Sequence, residues 1–65
     1  METKMISMVA EAWNMKELGE TLNKINSSDK KKLEKIEISE SGNHAFIYYM
    51  QEWLVDEEGR LMRIK

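Results

Sequence analysis

The residue best placed to do acid–base chemistry is His44, the single histidine of the chain, which follows Gly42 and Asn43. A general base needs a nucleophile or substrate within reach and a second group to orient it. Ser39 and Ser41 are close in sequence, but three such residues around a turn are a common and unspecific grouping. Carboxylates are plentiful: Glu11, Glu17, Glu20, Glu37, Glu40, Glu52, Asp56, Glu57 and Glu58. A catalytic pair must sit in two contrasting environments, and most of these residues fall on expected outer faces or in turns. Glu52 is the one expected near the inward face of a strand. Asp56-Glu57-Glu58 lacks the spaced ligand pattern of a calcium loop and reads as a solvated turn. With no cysteine and one histidine, thiolate zinc sites, thiol nucleophiles and clustered histidine ligation are excluded. The residue types point to a protein that is not an enzyme, with no metal site and no cofactor.

Polymer recognition is the next possibility. Lys30-Lys31-Lys32 is a short basic run between Asp29 and Glu34, and Phe46, Tyr48 and Tyr49 could serve as stacking platforms on a sheet. Yet their strand has no arginine, and twelve Asp+Glu against ten Lys+Arg give a net charge of −2. Nucleic acid and anionic membranes call for a positive balance, so neither is favoured as a partner. No run approaches the ~20 apolar residues of a membrane span. The start of the chain, with Ser7 and Glu11 breaking its apolar run, does not read as a signal peptide. A cytoplasmic location is expected.

The 65 residues form at most one domain, residues 1–65. Period-two alternation over residues 4–13 suits a strand apolar on both sides, with Ile6, Met8, Ala10 and Ala12 on one face and Met5, Val9 and Trp13 on the other. A helix running on from residue 4 to 26 competes, because Met5, Met8, Val9 and Ala12 also follow helical spacing. Asn14, three residues before Glu17, reads instead as a cap that starts a new helix. Met15, Leu18, Leu22 and Ile25 then give a helix over about 14–26. Gly19, in mid-helix, would serve a close approach to the sheet.

Further strands are expected at about 33–40, 44–55 and 60–64, with turns at Ser41-Gly42-Asn43 and Asp56-Glu57-Glu58-Gly59. The fold class is a small α+β domain of order β-α-β-β-β, one helix on a mostly antiparallel four-stranded sheet. The last three strands form a meander, and a right-handed crossover sets the first parallel to a neighbour.

One helix covers one face of such a sheet. The strands over 4–13 and 44–55 are nevertheless apolar on both sides. If Met5, Val9 and Trp13 share the uncovered side with Ile47, Tyr49, Trp53 and Val55, the patch exceeds what monomers usually expose. Its aromatic and methionine content is that of interface cores. A short chain without disulfides also has a small core of its own. The expected function is a non-enzymatic protein-interaction module that self-associates, as a homodimer or larger, through this open face or a sheet edge. A small regulator or inhibitor docking the same face on another protein is the alternative. A small-molecule binder with a pocket between protomers around Trp13, Tyr49 and Trp53 is a third.

The order strand, helix, then His44-Ala45-Phe46-Ile47-Tyr48-Tyr49 resembles small sporulation-associated and phage-borne proteins of Gram-positive bacteria. The likeness covers Met5 to Met50 and implies a β-α-β-β unit with a closing apolar strand. The hairpin through Trp53 and Gly59 departs from it. The resemblance implies no functional residues.

Overall fold

Chain order is set by three local signals, a cap and two tight turns. The computed structural model describes residues 2–64 and contains β1 (Glu2–Ala12), α1 (Met15–Ser27), β2 (Lys31–Ile38), β3 (Ala45–Val55) and β4 (Leu61–Arg63). The strand reading of the first segment is the correct one, and no helix runs through it. Asn14 is what separates the two elements. Its backbone is extended and its side-chain oxygen accepts the Glu17 N–H at 2.8 Å, while its amide donates to Glu17 Oε1 at 3.3 Å. The first of these bonds satisfies the Glu17 N–H, one of the donors that the first helical turn leaves free, and the second ties the two side chains together. Gly42 and Gly59 sit at φ 74° and 83°, the left-handed region that glycine enters without steric cost.

β3 is the centre of the sheet. β1 pairs antiparallel with it along its whole length, from Glu2 opposite Val55 to Ala12 opposite Ala45. β2 and β4 also pair antiparallel with β3, over Ala45–Gln51 and Trp53–Val55 respectively. Since β1 fills one edge of β3 completely, β2 and β4 lie end to end along the other. The expected meander is thereby corrected: β4 follows β2 on the same edge instead of flanking β3 on the far side. The expected parallel neighbour is corrected too. β1 runs parallel to β2, but β3 is inserted between them.

The core lies where the helix meets the sheet. Ala12, Leu18, Ile25, Ala45 and Ile47 are buried, Ile47 completely, with Ala10, Leu22, Leu33 and Tyr49 packed around them. The three alanines let the helix come close. Gly19 does not: it is exposed, and a β-carbon built there meets nothing within 4 Å. The helix of 13 residues is about 20 Å long, whereas the 11 residues of β3 span about 36 Å. The sheet therefore overhangs the helix, and the molecule is elongated at 45 × 20 × 15 Å. Its radius of gyration is 13.7 Å, against about 11 Å for a compact domain of this length.

Two substitutions test this packing by chemical denaturation. Ile47→Ala should cost about 2–5 kcal/mol, because the side chain is enclosed on all sides. Gly19→Ala should stabilise by about 0.5–1 kcal/mol, since it removes backbone freedom without a clash. A loss of stability in Gly19→Ala would mean that the glycine serves a contact after all.

Candidate functional site

The register of β1 against β3 decides which side chains share a face. Ala10 stands opposite Ile47 and Val9 opposite Tyr48. Even-numbered residues of β1 therefore project with odd-numbered residues of β3. The seven residues expected to form one patch are divided between two faces. Met5, Val9 and Trp13 stand on the open face, 46%, 56% and 60% exposed. Ile47 is the buried centre of the core and Tyr49 packs beside it. Trp53 and Val55 follow on that same side by alternation, past the end of the helix, and are half-buried. The cause is plain: both faces of β3 are apolar, so alternation alone cannot say which one the helix takes. The helix takes the side with Ala45 and Ala12, where small side chains permit close packing.

On the open face, Met5, Val9 and Trp13 share their side of the sheet with even-numbered side chains of β3, among them Phe46, Tyr48, Met50 and Leu54, of which Tyr48 stands opposite Val9. All four are half-buried. Met62, opposite Leu54, continues the surface onto β4 at 37% exposure. The open face thus carries Met5, Val9 and Trp13 as expected on one side, but takes even-numbered residues of β3 in place of Ile47, Tyr49, Trp53 and Val55. Polar residues break it up. Lys35 lies over the Tyr48 ring at 4.7 Å and donates to Glu37 Oε1 at 2.9 Å. That hydrogen bond holds the Lys35 ammonium above its ordinary pKa. Glu52 is on this open face, not the inward one, and its carboxylate is 3.7 Å from Lys30 Nζ.

At one end of the face, Trp13 stacks flat on His44, with ring centroids 4.0 Å apart and planes 7° apart. His44 in turn leans on Phe46 at 4.5 Å. Its Nε2 is shielded, makes no hydrogen bond among the described residues, and is 3.7 Å from Glu11 Oε2. Ser39 and Ser41 share a hydrogen bond with each other at 3.1 Å, and among the described residues neither side chain bonds to the imidazole. His44 is therefore a planar spacer between two aromatic rings, and its neighbours are stacking partners and one carboxylate. Comparison with family models, curated proteins and solved structures finds no match.

On the opposite side, beyond the helix, a shallow cavity of about 350 Å³ is lined by Met8, Lys31, Tyr49, Gln51, Trp53 and Arg63. The Trp53 Nε1 is shielded, without a hydrogen bond among the described residues. Trp13 stands on the other face, so Trp13, Tyr49 and Trp53 do not line one pocket within a single chain.

The Asp56 turn uses its own carboxylate. Oδ1 accepts from the backbone N–H of Glu58 at 2.9 Å and of Arg60 at 2.8 Å, and Oδ2 accepts from Arg60 Nε at 2.9 Å. The backbone bond from Arg60 is the main reason that the carboxyl titrates below its ordinary value of 3.8. No helix among the described residues is long and apolar enough to cross a membrane.

A carboxylate whose folded pKa is depressed contributes stability above its unfolded pKa and loses it as the pH falls through the folded one. Asp56→Ala should therefore melt below the wild type at pH 7, and the two melting temperatures should converge between about pH 4 and pH 2. Thermal melts followed by circular dichroism across that range give the answer; a constant gap down to pH 2 would show that ionised Asp56 does not hold the turn. Separately, Val9→Glu should leave a folded chain, while Ile47→Glu should not fold, since an unpaired buried charge is very costly.

Proposed function

We propose that this chain is a non-enzymatic protein-interaction module that works by self-association. The observation that carries the reading is the sheet face that no layer of the described residues covers. Met5, Val9 and Trp13 stand exposed on it, beside the aromatic and aliphatic side chains of β3. The opposite face already holds the helix, and its core is small: five buried residues among those described. A chain of this size buries about 60% of its unfolded surface and gains from any further burial. Aromatic and methionine side chains are the types that concentrate at the centres of interfaces.

The same surface serves a regulator that docks on another protein, and stoichiometry separates the two. The wild-type chain should show a mass above that of one chain by light scattering after size exclusion, rising over a tenfold range of concentration. Val9→Glu should return the mass to that of a monomer with an unchanged circular-dichroism spectrum. A wild-type monomer at every concentration would remove self-association and leave the face for a different protein.

A further inference from the structure

β1 is the outermost strand on its side of the sheet, and among the described residues nothing pairs with its outer edge over 11 residues. Long open edges invite pairing, and proteins blunt them with lysines, prolines or bulges. The other edge is blunted in this way. β2 carries Lys31, Lys32 and Lys35, with an irregularity between Leu33 and Lys35. β1 carries one lysine, Lys4, no proline, and an uninterrupted register. Of the two long edges, only that of β1 is left able to receive a strand.

The backbone says which residues would meet one. Ser39 N–H donates to His44 C=O, and Glu52 N–H donates to Lys30 C=O, both at 2.8 Å. Even-numbered positions along β3 thus aim their backbone groups at β2, and odd-numbered ones at β1. Their even-numbered partners in β1 aim inward in turn. Thr3, Met5, Ser7, Val9 and Glu11 consequently point N–H and C=O outward.

Resting on the self-association reading, we infer that β1 pairs antiparallel with β1 of a second copy of this chain, about a two-fold axis at Ser7. In an antiparallel ladder, outward-pointing residues must face each other. Odd therefore faces odd, both helices lie on the same side of the joined sheet, and the two open faces merge. With Ser7 on the axis, every residue from Glu2 to Ala12 has a partner. Met5 faces Val9 of the second copy on the open side, and Ile6 faces Met8 on the helix side. Glu2 faces Ala12, Lys4 faces Ala10 and Glu11 faces Thr3, so no like charges are opposed. Centring one residue earlier sets Met5 against Ser7 and Thr3 against Val9. One residue later, Met5 meets Glu11. Only the Ser7 axis matches apolar with apolar on both faces and uses the full strand.

Ser7→Pro and Ser7→Cys test this together with the mass of the wild type. Proline at position 7 removes an N–H that the chain's own sheet does not use, and edge strands accept proline there. Ser7→Pro should keep the wild-type circular-dichroism spectrum and run as a monomer where the wild type is oligomeric. In Ser7→Cys, the only cysteine of the chain would face its own copy at a Cα separation of about 5.5 Å, within the span of a disulfide. Mild oxidation should link it into covalent dimers. Thr3→Cys should not link, its copies lying about 27 Å apart along the strands. An oligomeric wild type whose Ser7→Cys variant stays unlinked, or whose folded Ser7→Pro variant stays oligomeric, would overturn the edge pairing and leave self-association through the face. A monomeric wild type would overturn both.

Discussion

Everything in this structure depends on β3 being paired along both edges while only one of its faces can be covered. The described residues form a single helix, and the helix is shorter than the strand it lies on. A central strand that is apolar on both faces therefore cannot satisfy both from within one chain. The helix settles on the side of Ala12, Ala45 and Ile47, where two small residues allow a close approach and one branched residue fills the contact. The remaining face keeps Phe46, Tyr48 and Met50 half-covered by flanking side chains of β1 and β2. Burial on one side is strong and local; on the other it is partial and spread out.

The α+β class, the order of elements and the Asn14 cap could be read directly from the sequence, because each rests on local chemistry. A cap needs only Asn14 and Glu17 at the right spacing, and Gly59 at a positive φ marks the last turn. Where β4 lies was not legible. A hairpin specifies that β4 pairs with β3, and the free edge depends on where β1 went. The facing of β3 was not legible either. Ile47 and Tyr48 are both plausible core residues, and only the register of Ala10 against Ile47 assigns them. Register is a property of two strands, so a reading of either strand alone leaves it open.

The cluster at the end of the open face shows the same division. His44 stood out for its type, and its setting turns that type to a different use. Stacked on Trp13 and leaning on Phe46, it extends an aromatic row across two strands and a bend. Such pairs contribute about 0.5–1.5 kcal/mol beyond area burial. The serines that flank it belong to the turn, where Ser39 N–H bonds the His44 carbonyl and Gly42 N–H bonds the Ser39 carbonyl. The signal that would have placed Trp13 beside His44 is the register again, since Ala12 faces Ala45.

The end-to-end placement of β2 and β4 bears on how the molecule breathes. β4 meets β3 at only three residue pairs, and Leu61, Met62 and Arg63 are all exposed. Nothing in the helix-side core depends on it. Segments with little burial open at free energies well below that of global unfolding, and β4, short and exposed, is the element with least burial to hold it. It covers the backbone edge of Trp53 to Val55 at the overhanging end of the sheet, far from the sealed Ile47. Burial is thus unequal along the molecule, dense under the helix and thin beyond it, and the two halves are joined through the length of β1 and β3.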